Sequence, residues 1–333
     1  MTRPFFTISL DFELFWGVYD VASVESYGSN ILGGRKAIPV ILSLFKKYNI
    51  HATWGTVAMA SFENKKELMS YLPEIRPVYP MSNIDPYDHL KNVGKNESED
   101  PYHFGYSLLQ KIIAVDGMEI GSHSFSHFYC LEENNKQAFR ADLEAAAESF
   151  RRLDIETKAL IFCRNQYDNS DLQTAKDLGF TSFRGNEAHY LYKPRQSKQP
   201  LTVRGGRLVD AYINIAGNNC SSPKEDIEGL INIPSSRFLR PYSNNKYLEM
   251  LRLRRIKSSM LNAAKNGKGF HLWWRPHNFG SNLYKNMAFL TSILNYYRVL
   301  NVEYGMDSLN MSEISDRFLN SQRRHDNDNS KFL

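Results

Sequence analysis

The sequence has few cysteines and no long apolar run, and both features exclude classes of protein. Its three cysteines, Cys130, Cys163 and Cys220, lie far apart, are odd in number and form no CxxC pair. A disulfide framework is therefore not expected. No stretch of 18 apolar residues occurs, and the first ten residues lack the apolar core and cleavage site of a signal peptide. These absences predict a reduced, cytoplasmic protein without a membrane span.

An excess of one charge is also absent. The 333 residues include 41 Lys and Arg against 36 Asp and Glu, a formal net charge of +5. Because no long basic stripe is present, nucleic acid is not an expected partner. Neither an internal repeat nor a linker between domains is visible, and a composition that is 42% hydrophobic can fill one large core. The oligomeric state cannot be read from the sequence.

Apolar segments of strand length alternate with amphipathic segments about seven times. The periodicity predicts strands at residues 5–10, 51–57, 118–121, 158–162, 180–183, 208–215, 230–233 and 269–274. It predicts helices at residues 36–48, 106–115, 135–153, 172–178, 247–266 and 284–297, and a loop at 14–34. Such alternation is typical of an α/β protein with a parallel sheet, here a closed or partly closed barrel.

Two further segments interrupt this pattern. Residues 72–104 are rich in proline and are predicted to form an insertion over the barrel, in which His89 and His103 are interpreted as surface histidines. Residues 321–333 are polar and are predicted to be a disordered tail. The remaining residues, 1–320, are expected to form a single domain.

Polar residues follow the predicted strands directly. They are Asp11, Glu13, His123, His127, Arg164, Arg184 and His277. Because active sites of β/α barrels lie at the carboxyl ends of the strands, we expect these side chains to meet. Their positions are the strongest sign of an active site in the sequence.

Two pairs among these residues suggest a metal site. If one helical turn follows Ser122, His123 and His127 lie on the same face and can bind one divalent transition metal. The spacing alone is a weak motif, and an ordinary polar pair is equally compatible with it. Asp11 and Glu13 share one face of a buried strand, where carboxylates are costly unless they are paired or bind a metal. The alternatives are that both face water in a loop or that Asp11 caps the next segment.

The chain resembles the polysaccharide deacetylases with a NodB homology domain, which form carbohydrate esterase family 4. The matching segments, in the order of that family, are residues 9–13 (SLDFE), 52–54 (ATW), 122–127 (SHSFSH), 164–167 (RNQY) and His277. The resemblance implies a distorted (β/α)7-type barrel in a single domain with loop insertions. It also implies a site for one divalent metal ion, Zn2+ first and Co2+ or Ni2+ as alternatives, with Glu13, His123 and His127 as ligands.

The resemblance further implies catalytic roles. Asp11 would be the general base, Arg164 would orient it, the backbone near Tyr167 would bind the oxyanion, and His277 would be the general acid. The chain departs from the family where Phe12 separates two acids that are usually adjacent, where Gln166 replaces a proline, and in the last motif. There His271 is a second candidate for the acid, but it lies inside the predicted strand.

The activity implied is removal of an N-acetyl group from an amino sugar. The expected substrate is a nucleotide- or lipid-linked intermediate of surface polysaccharide or lipopolysaccharide biosynthesis. Candidates for substrate binding are Trp16, Trp54, Tyr167, Arg184, Trp274 and Arg275, although core packing is the more frequent role of aromatic residues. Two alternatives remain open, namely a deacylase acting on a non-sugar amide and a non-catalytic sugar-binding relative.

Overall fold

A central sheet organises the protein. The computed structural model describes residues 3–132, 135–196 and 199–329. The strands are β1 (Phe5–Phe12), β2 (Ala52–Thr56), β3 (Met118–Ser122), β4 (Ala159–Leu160), β5 (Ser182–Phe183), β6 (Lys224–Ile227), β7 (Leu230–Asn232), β8 (Arg237–Phe238), β9 (Gly269–Trp274) and β10 (Asp307–Ser308). The helices are α1 (Val24–Tyr48), α2 (Lys65–Ser70), α3 (Pro86–His89), α4 (Tyr106–Ile113), α5 (Lys136–Arg151), α6 (Asn169–Asp177), α7 (Leu201–Asp210), α8 (Lys246–Lys265), α9 (Leu283–Tyr304) and α10 (Met311–Asn329). Short 3-10 helices lie at Leu14–Gly17, Ala58–Ser61, Ser82–Ile84, Leu90–Asn92, Cys163–Asn165, Tyr190–Tyr192 and Pro276–Asn282.

The strands form one curled sheet in the order β6-β7-β5-β4-β3-β2-β1-β9-β8, with β10 beside β1. Neighbouring strands are parallel except for the antiparallel pair β6 and β7 at one edge. Helices surround this sheet, which gives a distorted α/β barrel in a single domain and confirms the predicted fold class. Parallel strands joined by helical crossovers place their carboxyl ends at one rim, where the site lies.

β1 is the central strand, hydrogen-bonded to β2 on one side and to β9 on the other. All eight of its residues are buried. A strand covered on both faces reads as a continuous apolar run, which explains why residues 5–10 predict it correctly. In this register Asp11 lies opposite Gly55 of β2, so the acidic residues stand at the end of a fully buried strand.

Helix α1 is longer than the sequence predicts, and it packs against the segment that carries His277. It begins at Val24, inside the segment predicted as a loop, because Ser23 and Ser26 form a capping box. A Cβ atom at Gly34 would lie only 2.7 Å from the Cα atom of His277. The absence of a side chain at Gly34 therefore lets α1 approach the segment that carries His277.

Three other predictions concern irregular parts of the chain. Residues 201–210 form helix α7, so the strand predicted at 208–215 is wrong; Val203 is buried while Leu208 and Val209 are exposed, which is a helical pattern. The segment predicted as an insertion contains short helices and lies in the long connection between β2 and β3. Helix α10 continues to Asn329, through most of the predicted disordered tail, and residues 330–333 lie outside the described residues.

Two further observations concern the state of the cysteines and the apolar character of the helices. All three cysteines are free thiols. Among the described helices, none combines the length and the apolar character needed to cross a membrane.

Candidate metal centre and active site

Three side chains predicted as metal ligands converge at the carboxyl ends of β1 and β3. Glu13 Oε2 lies 3.4 Å from Nε2 of His123 and 3.2 Å from Nε2 of His127. All three side chains are buried. Within the described part of the chain, both oxygens of Glu13 and both Nε2 atoms have no hydrogen-bond partner. Buried polar atoms without partners are costly, and a carboxylate facing two imidazoles is a donor set for zinc or a similar ion, so these residues fit a divalent metal.

The histidines lie in an irregular loop rather than in the helical turn that the sequence suggests. Ser124 and His127 have left-handed φ angles of 60° and 62°. Asp142 of α5 fixes this loop, because its carboxylate accepts hydrogen bonds from the backbone N–H of Phe125, at 2.7 Å, and from the Ser126 hydroxyl. The loop that brings the two imidazoles together is therefore held in place by its hydrogen bonds to Asp142 of α5.

In each imidazole, Nδ1 contacts a group outside the site, and this contact orients Nε2 toward the site. His123 Nδ1 donates to the carbonyl of Ile161 over 2.6 Å, because a carbonyl can only accept. His127 Nδ1 lies 3.2 Å from the hydroxyl of Tyr129. Such hydrogen bonds fix the orientation of metal-binding histidines.

Cys163 is a candidate ligand that the sequence reasoning missed. Its buried Sγ and one nitrogen each of His123 and His127 lie within 4.8 Å of one another. Burial by itself would raise the pKa of the Cys163 thiol, but the two imidazoles lower it to about 6. A thiolate is a strong zinc ligand. The signal in the sequence is its position, directly after the strand predicted at 158–162 and before Arg164.

Glu13 is held as a carboxylate by cations. Burial by itself would raise its pKa, but the Arg275 guanidinium and the two neighbouring imidazoles hold the pKa well below its usual value. Arg275 Nε lies 2.9 Å from Glu13 Oε1, at ion-pair distance but without the geometry of a hydrogen bond. Arg275, predicted to bind substrate, thus stands between Glu13 and the cavity described below.

Asp11 is held by Arg184, and this corrects the assignment of Arg164. Arg184 donates from Nη1 to Oδ1 of Asp11 over 2.6 Å and from Nη2 to Oδ2 over 3.1 Å. Arg164 has a left-handed φ angle of 54° and forms an ion pair with Asp20 instead. Arg184, predicted to bind substrate, is only 1% exposed and positions Asp11.

The two candidate acids differ in their surroundings. His277 Nε2 lies 3.8 Å from Glu13 Oε1, and burial lowers the pKa of this imidazole to about 4. His271 lies inside β9, where its nitrogens are 2.8 Å from the Ser9 hydroxyl and 3.2 Å from the carbonyl of Ile233. His277 is therefore the histidine beside the proposed metal ligands, and its role as acid stays a prediction.

Most of the aromatic residues predicted to bind substrate belong to the core. Trp16, Trp54 and Trp274 are fully buried. Trp16 donates its indole N–H to the carbonyl of His103 over 2.9 Å, and Trp274 stacks on Phe279 with ring centroids 5.5 Å apart. These three side chains are corrected to packing residues, because a ligand cannot reach them.

Tyr167 is also placed differently from the prediction. Its ring packs against Phe162 and Phe183, with centroids 4.9 and 5.4 Å apart. The residues of this motif that line the neighbouring cavity are Arg164, Asn165 and Gln166.

Of the two histidines of the insertion, His103 is buried and His89 is partly buried, so neither is the fully exposed residue that the sequence predicts. His103 is 2% exposed, and its Nδ1 lies 2.8 Å from a carboxylate oxygen of Asp100. Its Nε2 lies 2.9 Å from Nε2 of His89, and burial lowers the pKa of His89 to about 4. Both imidazoles pack edge-on against Trp16, which makes them part of the packing beneath the insertion.

Comparison with known proteins rests on structure. No protein-family model and no curated protein sequence matches this chain. A structure from Mycobacterium smegmatis, described as a polysaccharide deacetylase, superposes with a TM-score of 0.59 and 9% identity over 96% of this chain and 92% of its own. A second, from Pseudomonas aeruginosa PAO1 and described likewise, has a TM-score of 0.58 and 12% identity over 94% and 89%. The Puue allantoinase has a TM-score of 0.55 and 11% identity over 94% and 88%.

At sequence identities this low, the similarity shows a shared fold and does not show a shared reaction. The matches span nearly the whole of each chain, so the likeness extends beyond a shared core motif. This protein therefore has the fold of the polysaccharide deacetylases, the NodB type of barrel that its sequence motifs predict.

Proposed function

We propose that this protein is a metal-dependent hydrolase that removes an N-acetyl group from an amino sugar. The observation that carries the proposal is that Glu13, His123 and His127 meet, beside the carboxylate of Asp11, through buried atoms that have no hydrogen-bond partner in the described part of the chain. The fold shared with polysaccharide deacetylases supports it. We propose further that the sugar belongs to a nucleotide- or lipid-linked intermediate of surface polysaccharide or lipopolysaccharide assembly. The cytoplasmic location stays a prediction.

Glu13, His123 and His127 would hold the metal, with Cys163 close enough to join them. We propose Zn2+ as the ion, because imidazole, carboxylate and thiolate are its usual ligands. When bound, such an ion polarises a carbonyl group and makes water more acidic.

The residues of the chain would divide the proton transfers. Asp11 takes a proton from the water that attacks the acetyl carbonyl, and Arg184 keeps this carboxylate in place. His277 gives a proton to the departing amine. Because burial holds the pKa of His277 at about 4, its ring is neutral in the free protein at pH 7. The acid role therefore requires that the negative charge developing on the bound substrate raise this pKa.

A second candidate is hydrolysis of a non-sugar amide. The similarity to an allantoinase favours it, since that enzyme has the same fold at a comparable TM-score of 0.55. The volume of the cavity beside the site, which Arg164, Asn165 and Gln166 line, would accommodate either a sugar amide or a non-sugar amide.

Metal content and turnover test the proposal together. We expect about one zinc, cobalt or nickel ion per chain by elemental mass spectrometry, and its loss in His123→Ala. Asp11→Asn should keep the metal and lose turnover, whereas His123→Ala should lose both. A panel of N-acetyl sugars against simple amides separates the two candidates. A metal-free protein that binds N-acetyl sugars and turns over none of the panel after metal reloading would leave the non-catalytic reading instead.

A further inference from the structure

A cavity of about 410 Å³ lies beside the proposed active site. Its wall includes Arg275, whose Nε is 2.9 Å from Glu13 Oε1, and Trp273. The Trp273 ring lies 4.3 Å below the guanidinium carbon of Arg184, the residue that holds Asp11. A volume of this size is within the usual range for small-molecule sites, about 300–1,000 Å³. The cavity thus borders Arg275, which contacts Glu13, and Trp273, which contacts the arginine that holds Asp11.

The lining of this cavity is strongly cationic. Its charged members are Arg164, Lys193, Arg195, Arg207, Arg237, Arg240 and Arg275, against the single acid Glu187. Three of these arginines already have a carboxylate partner: Arg164 pairs with Asp20, Arg237 with Asp210 and Arg275 with Glu13. The charge that matters for a ligand is therefore that of the others.

Arg195, Arg207 and Arg240 lack such a partner. In the part of the chain that the structure describes, none of the three forms an ion pair with a carboxylate. Among the described residues, Arg195 and Arg207 donate only to backbone carbonyls, both of them to that of Leu191, and the guanidinium of Arg240 makes no hydrogen bond. Burial lowers the pKa of Arg207, and the charges of Arg195 and Arg240 lower it further against the opposing effect of Glu187. The three cations repel one another, and Glu187 is the only acid in the described lining that opposes their charge.

We propose that this cavity binds a phosphate ester, so that the substrate of the neighbouring site is an acetamido sugar carrying a phosphate or diphosphate. This inference rests on the proposed function and names its substrate class. The guanidinium fork matches phosphate oxygens with paired, charge-assisted hydrogen bonds. Three guanidinium groups that form no ion pair among the described residues suit the several charges of a diphosphate better than the single charge of a carboxylate. A neutral polysaccharide would leave all three groups unpaired.

The outer end of the cavity is compatible with more than one carrier of the phosphate. Arg207 and Arg240 also line an external groove together with Leu201 and Leu208 of α7. These two leucines are 78% and 47% exposed. Beyond the phosphates, this groove offers space to a nucleoside or to the first units of a lipid chain. The test therefore has one arm for each carrier.

Calorimetric titration of the metal-loaded protein tests the inference. The probes are inorganic pyrophosphate, uridine diphosphate N-acetylglucosamine, a short prenyl diphosphate in detergent, and neutral N-acetylglucosamine. Arg240→Ala is the main variant, because the side chain of Arg240 is half-buried and has no hydrogen-bond or ion-pair partner among the described residues. Arg240→Gln is a second variant that keeps more of the side chain's length. Arg254→Ala is the matched control, since Arg254 is an exposed arginine of α8 that does not line the cavity.

We expect pyrophosphate to bind and both Arg240 variants to raise its Kd about tenfold or more, because a hydrogen bond to a charged group is lost. Arg254→Ala should bind as the native protein does. Tighter binding of the nucleotide sugar identifies a nucleotide carrier, and tighter binding of the prenyl diphosphate, weakened by Leu208→Ser, identifies a lipid carrier. Either result supports a phosphate ester.

Two results would overturn the inference. One is a Kd for pyrophosphate that is equal in the native protein and in both Arg240 variants. The other is neutral N-acetylglucosamine binding as tightly as its uridine diphosphate ester. If neutral N-acetyl sugars are also hydrolysed normally in Arg240→Ala, the proposed function stands while this inference fails. If Arg240-dependent binding occurs but no amide is hydrolysed, the phosphate cavity stands and the hydrolase proposal fails.

Discussion

The contact between Arg184 and Asp11 allows the assignment of the positioning arginine to be tested by stability alone. We consider Arg184→Met, which keeps a side chain of similar length but removes the guanidinium. The substitution leaves Asp11, only 2% exposed, without its two charged hydrogen bonds. It also removes hydrogen bonds to the Ser9 hydroxyl, at 3.1 Å, and to the Asn165 side chain, at 3.0 Å.

The expected cost is large because a buried charge loses its partner. Removing one member of a buried ion pair destabilises a protein by about 3–5 kcal/mol. Arg275 Nε, 3.9 Å from Asp11 Oδ2, offers partial compensation, so we expect the lower half of that range. Adding Asp11→Asn to Arg184→Met removes the unpaired charge. The double variant should therefore recover at least about 1 kcal/mol, a coupling usual for residues in contact.

Urea unfolding followed by circular dichroism measures these free energies. Arg254→Met serves as the control, since Arg254 is exposed and has no ion-pair partner among the described residues, so its replacement should change stability by no more than about 0.5 kcal/mol. A cost below about 1 kcal/mol for Arg184→Met would refute the reasoning, as would the same effect of Asp11→Asn in both backgrounds. A larger coupling of Asp11 to Arg164 than to Arg184 would restore the assignment made from the motif.

Three further predictions concern the site and its supporting loop. Loaded with Co2+, the native protein should show thiolate-to-cobalt charge-transfer absorption that Cys163→Ser lacks; identical spectra would remove Cys163 from the ligands. His277→Gln should keep the metal and lower kcat by about 10²–10⁴-fold, as is usual for acid–base groups, and a change confined to KM would contradict the acid role. Burial raises the pKa of Asp142 from 3.8 to about 6, so the folded state holds this proton longer and loses stability as pH rises from about 4 to 6. Asp142→Asn should flatten this pH dependence of the unfolding free energy, and an unchanged slope would show that Asp142 does not titrate there.

The sequence by itself determined the elements and the rim at which the chemistry lies. Apolar runs and amphipathic periodicity predicted most strands and helices, because a buried strand and a packed helix each require a pattern that is local in the chain. The carboxyl ends of parallel strands meet at one rim of a barrel. That rule brought Asp11, Glu13 and His277 to the site together with the two histidines of the loop after β3.

The tertiary structure decided which side chains meet across the barrel. The motif offered Arg164 as the partner of Asp11, but a left-handed backbone turns Arg164 to Asp20, and Arg184 reaches Asp11 instead. Cys163 joins the imidazoles for the same reason: the loop geometry after β4 sets its direction. No local pattern records such pairings, because they depend on strand order and loop conformation.

Burial is the other property that only the tertiary structure decided. An aromatic residue beside a motif is equally compatible with stacking on a sugar and with packing in a core, and Trp16, Trp54 and Trp274 proved to be core. The arginines of the cavity come from separate segments between residues 164 and 275, so the sequence did not show that they line one cavity. The sequence determines which chemical groups are available, whereas packing decides which of them a ligand can reach.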